Sequence, residues 1–201
     1  MNDQTSQSTI SFYDTNAETF ASYTQKIDFS SIQDEFLSYL PKDAYILDFG
    51  CGAGRDTKRF LDLGYKVDAI DGSAEMCKCT EEYAKIKVSQ MLFTELAEEN
   101  RYDGIWACAS ILHLPYEKLE EVFGLMAKAL KPGGYIYTSF KYGEFEGQRN
   151  GRYFTYLTEE KCKQLLNLVD ELEIEKLRVT QDVREGRGEE PWLNLILHKK
   201  K

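Results

Sequence analysis

Ile46-Leu47-Asp48-Phe49-Gly50-Cys51-Gly52-Ala53-Gly54-Arg55-Asp56 joins an apolar strand to a glycine turn that opens a helix. Glycines at alternate positions let the backbone turn sharply without Cβ clashes. They also let a ligand lie against bare main chain at the carboxyl end of a strand. The spacing is G-x-G-x-G. It departs from the G-x-G-x-x-G dinucleotide fingerprint because Arg55 stands where a third glycine would let the helix pack close to the sheet. A nucleoside-bearing cofactor is expected at this turn.

Outward from it, apolar periodicity alternates between two kinds of element. Strands are expected over 44–49, 66–70, 86–89, 104–108 and 135–140, and helices over 55–63, 74–84, 116–130 and 159–168. The helix over 116–130 carries Leu119, Val122, Phe123, Met126 and Leu130 on one face and is stopped by Lys131-Pro132-Gly133-Gly134. Repeated β-α units imply a parallel sheet with helices on both faces. The last two strands, 172–180 and 193–198, are joined by a polar loop with no helical pattern, so they should pair antiparallel. Before the sheet, residues 1–9 read as a disordered start. Residues 10–40 read as two cap helices ending at Pro41, and 10–201 as a single domain.

The 201 residues are 42% apolar, enough for one buried core without a linker, and the formal charge of −9 repels polyanions, which argues against nucleic acid or an anionic membrane as partner. No apolar run approaches the roughly 20 residues of a membrane span. Five cysteines, an odd number, follow a polar start with no signal-peptide pattern, so a reducing cytoplasm is expected. Cys77 and Cys79 stand two apart on a helix without a second Cys/His pair, so no metal site is expected.

The glycine stretch resembles motif I of the class I S-adenosylmethionine-dependent methyltransferases. Ile105-Trp106-Ala107-Cys108-Ala109-Ser110-Ile111-Leu112-His113-Leu114-Pro115 resembles motif IV and its following loop. The Ser-x-Leu-His pattern is similar to that of small-molecule and tellurite-resistance-type members, and Lys-Pro-Gly-Gly with the order of strands supports the wider resemblance. The Asn/Asp-Pro-Pro-aromatic tetrad of nucleobase amino-methyltransferases is absent. The resemblance covers most of the chain. It implies an α/β, Rossmann-like, seven-stranded, mostly parallel sheet with an antiparallel final strand, helices on both faces and an N-terminal helical lid. It further implies methyl transfer from S-adenosyl-L-methionine to a small-molecule acceptor, with S-adenosyl-L-homocysteine as product, by a monomer or homodimer. Two readings stand beside it: a methyltransferase acting on RNA or protein, and a non-catalytic module that binds the cofactor.

Asp71, closing the second strand before Gly72 and Ser73, can accept hydrogen bonds from both ribose hydroxyls, and Ser73 can cap the next helix. Asp48 lies in an apolar strand, where the resemblance implies that it supports the glycine loop and, usually indirectly, the cofactor's amino group; the alternative is a carboxylate that anchors local N–H groups. Gly50, Cys51, Gly52 and Gly54 would carry the methionine arm, with Arg55 either facing its carboxylate or sitting on the solvated side of the first helical turn. The resemblance places the adenine against Met76, Met91, Leu92 and Phe93, and the transferring arm beside Cys108, Ala109 and Ser110. His113 is a candidate base, with a loop hydrogen-bond role as the alternative. Tyr13 and Tyr23 belong to the expected lid, where they either stack on the sulfonium or simply pack. Acceptor contacts are expected from Lys141, Arg149, Arg152, Tyr153, Arg184 and Trp192, a mixture suited to a planar or anionic molecule.

Overall fold

The structure, a computed structural model, describes residues 2–201 except Glu185 and Arg187, with side chains described from Ser6 onward. Helix α1 (Asn2–Thr24) and helix α2 (Ser30–Leu37) precede a seven-stranded sheet. Its first half is β1 (Tyr45–Phe49), α3 (Arg55–Asp62), β2 (Lys66–Asp71), α4 (Ala74–Ala84), β3 (Ser89–Gln90) and β4 (Tyr102–Ala107). Then come α5 (Tyr116–Ala129), β5 (Leu130–Lys141), a separate hairpin of β6 (Glu146–Arg149) and β7 (Arg152–Thr155), α6 (Glu159–Leu166), β8 (Leu172–Thr180) and β9 (Trp192–Lys199). The sheet order is β3-β2-β1-β4-β5-β9-β8. β1 to β5 are parallel, β9 is antiparallel to both neighbours, and β8 therefore runs with the first five. The expected fold class and the antiparallel closing pair are both present.

Alternate residues of the central strands feed two cores, as the two-residue period of a strand demands. Leu47, Ile105, Ile136 and Leu195 pack under α5 and α6. Their neighbours Ile46, Trp106, Tyr137 and Ile196 pack under Phe36 of α2 and Phe60 of α3. Trp106 and Tyr137 stack with ring centroids 4.1 Å apart at 17°. Burying Leu119, Val122, Phe123 and Met126 of α5 contributes about 1.5–3 kcal/mol each, which is what holds this helix on the sheet.

Four boundaries differ from the sequence reading. The expected disordered start is the opening of α1. Thr9 is buried, with its hydroxyl accepting from the Tyr153 N–H at 3.0 Å, and Gln148 donates to the Ser8 hydroxyl at 2.9 Å. Tertiary contacts override the low local apolar content there. β3 is only two residues long, because Lys85 in the left-handed region ends α4 and the chain meets β2 only at Ile70 and Asp71. β5 includes Leu130, which pairs with Tyr102 before the chain loops out over 131–134 and resumes at Tyr135 opposite Gly104. Finally, the β6–β7 hairpin lies in a stretch to which the sequence reading assigned no element.

Candidate active site

At the carboxyl edge of the sheet the turn after β1 is fixed from three sides. The Asp71 carboxylate accepts from the Gly52 N–H through one oxygen and from the Ser73 N–H through the other, each at 2.9 Å. Thr80 donates to the Gly52 carbonyl at 2.8 Å, and Gln25, just beyond α1, donates to the Ala53 carbonyl at 2.8 Å. Gly50 has φ +89°, and a Cβ there would stand 2.4 Å from Cβ of Ser110, so this position admits only glycine. Burial pushes the Asp71 carboxyl above its usual range, opposed by the N–H groups of Ser73 and Gly52. Ser73 caps α4, its hydroxyl accepting from the Met76 N–H at 3.1 Å.

Behind the turn lies a polar cluster. Asp48 accepts from the Thr57 hydroxyl at 2.5 Å, and burial, with Asp56 nearby, raises its carboxyl to about 8. Asp56 receives Arg55 through Nε and an Nη at 2.8 Å each, Gln33 at 2.6 Å and the Trp106 indole at 2.9 Å. The Arg55 guanidinium also lies 4.3 Å over the Phe29 ring. Asp48 thus supports the turn from the rear and does not line the cleft. Gly54 likewise faces the backbone of Thr80, 3.0 Å from where its Cβ would be.

In front of the turn is a cleft of about 270 Å³, walled by β-strand ends and roofed by Ile10, Tyr13 and Phe20 of α1. Gly50, Cys51, Gly52, Arg55, Asp71, Gly72, Ser73, Met76, Met91, Leu92, Phe93, Cys108, Ala109 and Ser110 all line it. Met91, Leu92 and Phe93 form an apolar slot beyond Asp71, with the Phe93 ring 4.8 Å from Phe49. Glu95 is exposed outside the cleft lining, and its carboxylate accepts from the Leu92 N–H at 2.8 Å. On the opposite side Ala109 adopts φ +50° and donates its N–H to the Ser139 hydroxyl at 2.9 Å, and burial raises the Cys108 thiol to about 12. Tyr23 does not join the cleft. It is 51% exposed on the outer face of α1, because the helix turns Ala17 and Ala21 inward onto Ala53 and Met76.

His113 and Tyr13 meet at the mouth. The His113 Nδ1 lies 2.6 Å from the Tyr153 carbonyl, which can only accept, so Nδ1 carries the proton and Nε2 is left as an acceptor. The Tyr13 hydroxyl then donates to Nε2 at 2.9 Å and accepts from an Arg152 Nη at 3.4 Å. Burial lowers His113 to about 4 and raises Tyr13 against the opposing pull of Arg152, so both are neutral at pH 7. Tyr153 contributes only its backbone here. Its hydroxyl donates away to Glu146 at 2.9 Å, correcting the expectation that its side chain faces an acceptor.

A second cavity of about 200 Å³ opens beside the first and shares Tyr13, Phe20, Ala109, His113, Arg184 and Trp192 with it. Lys141, Arg149 and Arg152 line it, together with Phe154 and Tyr156. Lys141 pairs with Glu190, and Arg184 pairs with Asp182, which also accepts from the Trp192 indole at 3.0 Å.

The sequence reading missed Ile10, Phe20, Ile27 and Phe29, which close the cleft from the helix side, and Asp14, whose carboxylate accepts from the Ser73 hydroxyl at 2.6 Å and ties α1 to α4. It also missed the hairpin that carries Arg149 and Arg152. Asn150-Gly151 is the signal that could have found it, since both residues have positive φ, at 51° and 78°, as a two-residue hairpin turn requires.

Residues 46–134 match the methyltransferase domain family. Among curated relatives, the alpha N-terminal protein methyltransferase 1 of Caenorhabditis elegans is 39% identical over 99 residues, 46% of this chain and 42% of that protein. The phosphoethanolamine N-methyltransferase 2 of the same organism is 28% identical over 123 residues, 57% of this chain and 27% of that protein. The chain spans less than half the length of these relatives. The 1,6-didemethyltoxoflavin-N1-methyltransferase of Burkholderia thailandensis, solved with 1,6-didemethyltoxoflavin and S-adenosylhomocysteine, superposes with a TM-score of 0.80 at 18% identity, over 100% of this chain and 91% of that one. At that identity the superposition establishes the fold.

Proposed function

Because residues 46–134 match the methyltransferase domain family and the whole chain carries the class I methyltransferase fold, we propose that this protein transfers the methyl group of S-adenosylmethionine to a small-molecule acceptor. The observation that carries the cofactor reading is the pinned Asp71 carboxylate. It stands at the end of β2, facing a cleft whose floor at Gly52 is bare main chain, where a Cβ would meet nothing within 4 Å except the Phe20 ring. The residues present fit the cofactor. Asp71 retains lone pairs for ribose hydroxyls, the slot of Met76, Met91, Leu92 and Phe93 suits adenine, and Arg55 has N–H groups beyond those given to Asp56 for a carboxylate.

When bound, the cofactor supplies an electrophilic methyl on a sulfonium; what remains for the chain is alignment and exclusion of water. The α1 roof excludes water. Cys108 and Ala109, which line the cleft, are small and let an acceptor approach closely, and the Tyr13 hydroxyl, held by His113, orients it at the mouth of the second cavity. With His113 lowered to about 4, the pair serves first as a fixed, neutral hydrogen-bonding device. The net charge of −9 and the small size of the second cavity support a small acceptor over RNA.

The test is to supply methyl-labelled cofactor with pooled small thiols, phenols, amines and carboxylates beside transfer RNA and a peptide mixture. Label is expected in the small-molecule fraction. Label mainly in RNA or peptide, or none in any fraction, would overturn the reading.

A further inference from the structure

The second cavity has an uneven charge balance. Lys141 and Arg184, which line it, each hold a carboxylate of the chain, Glu190 and Asp182. Arg149 and Arg152 hold none among the described residues: Arg149 donates only to the Tyr156 hydroxyl at 3.2 Å, and Arg152 only to Tyr13 at 3.4 Å. The Arg152 Nε is buried with no hydrogen-bond partner, while its guanidinium sits 4.4 Å from the centre of the Phe12 ring and 5.1 Å from that of Phe154. Aromatic faces attract a cation but do not accept its N–H groups in the plane of the guanidinium.

Register makes the arrangement costlier. Arg149 and Arg152 are directly opposite each other at the end of the β6–β7 hairpin, so their side chains leave the same face. Like charges opposed across a strand pair destabilise it, and a partly desolvated guanidinium without an anion adds to that cost. The ring faces of Phe12 and Phe154 offset part of this but leave the in-plane N–H groups unmet, whereas an oxyanion held between the two forks would satisfy both, and guanidinium groups match such an anion through paired N–H donors.

We propose that Arg149 and Arg152 form an oxyanion subsite, so that the acceptor methylated in the adjoining cleft carries a terminal carboxylate or phosphate. This rests on the methyl-transfer reading for the word acceptor, but not for the anion site itself. Phe154 and Tyr156 flank the pair and receive the apolar body of the same molecule. Tyr13, which touches both Arg152 and His113, links the anion anchor to the mouth of the cofactor cleft.

The experiment titrates the intact protein, with and without S-adenosylhomocysteine, with benzoate, phenyl phosphate and inorganic phosphate, and with the neutral benzamide and benzyl alcohol, following amide chemical shifts. The expected result is saturable binding of the anions, weakened about tenfold or more in Arg152→Gln and in the exposed Arg149→Gln, partly restored in Arg152→Lys, and weakened by salt. Benzoate ahead of phenyl phosphate assigns a carboxylate acceptor, and the reverse order a phosphate. Neutral probes that bind as well as their anionic counterparts, anion affinity unchanged in both glutamine variants, or no saturable anion binding would overturn the proposal. Failure of S-adenosylhomocysteine to bind would instead count against the methyl-transfer reading and leave the anion result to stand by itself.

Discussion

Three glycines in one turn look equivalent in sequence, yet the structure separates Gly50 from Gly52, and alanine at each should fail in a different way. At Gly50, φ is +89° and an added Cβ would lie 2.4 Å from Ser110 Cβ and 3.1 Å from the Phe93 ring. Ser110 cannot step aside, since its hydroxyl donates to the Phe49 carbonyl at 2.6 Å. Backbone strain of about 1–2 kcal/mol and overpacking of about 1–3 kcal/mol then sum to about 2–5 kcal/mol of lost stability. At Gly52, φ is +54° and the only neighbour is the Phe20 ring at 3.9 Å, so the strain of about 1–2 kcal/mol stands alone. The new methyl instead occupies the floor of the cleft. Urea unfolding followed by fluorescence of the buried Trp106 measures the first effect, and calorimetry with S-adenosylhomocysteine the second. Gly50→Ala should be the less stable by about 1–3 kcal/mol, the overpacking share alone, while Gly52→Ala stays folded and binds at least about tenfold more weakly. Equal loss of stability in the two variants, or normal binding by Gly52→Ala, would refute this division of roles.

Asp71→Ala leaves the N–H groups of Gly52 and Ser73 without their acceptor and removes the ribose partner; cofactor affinity should fall by about 1.5–3 kcal/mol in calorimetry, and a folded variant with unchanged affinity would sink the ribose assignment. His113 has its folded pKa lowered from 6.5 to about 4, so the unfolded chain takes up the proton first as pH falls. Its contribution to stability is complete above about 6.5 and is lost toward pH 4, at roughly 1.4 kcal/mol per pH unit and roughly 3 kcal/mol in all. In urea melts the margin of the wild type over His113→Gln should therefore shrink steadily from pH 7 to pH 4, and a constant margin would contradict the buried, neutral imidazole. Deleting residues through Lys26 removes the roof formed by Ile10, Tyr13 and Phe20 and the Gln25 tie to Ala53; the product should bind cofactor weakly and transfer no methyl group, and full activity would exclude α1 as the cover.

Much of this was legible in the sequence, because the relevant signals are local. The glycine turn, Asp71 after an apolar strand, Ser73 as a helix cap and the helix-free link between the last two strands each follow from residue types at fixed spacing. What the sequence concealed depends on contacts between distant segments. Residues 2–9 are too polar to announce a helix, and Ser8 and Thr9 are held by Gln148 and Tyr153, more than a hundred positions away. Asp48 and Asp71 are both carboxylates at strand ends or interiors, and only the fold shows that one faces Thr57 behind the turn and the other the cleft. Tyr13 and Tyr23 are equal candidates for the lid until the rotation of α1 is fixed by the small side chains of Ala17 and Ala21, which sends one ring inward and the other to solvent. The hairpin was concealed differently, since Asn150-Gly151 and the aromatic Tyr153-Phe154-Thr155 were visible but the other flank, Glu146–Arg149, is too polar to read as a strand.

The central claim is that S-adenosylmethionine occupies the cleft above Gly52, and calorimetric titration of the wild type and of Gly52→Val with that cofactor tests it most directly. One-to-one binding is expected for the wild type and none for Gly52→Val, whose far-UV circular dichroism should remain close to that of the wild type because the added side chain points into the cleft. No binding by the wild type, or equal binding by a folded Gly52→Val, would contradict it.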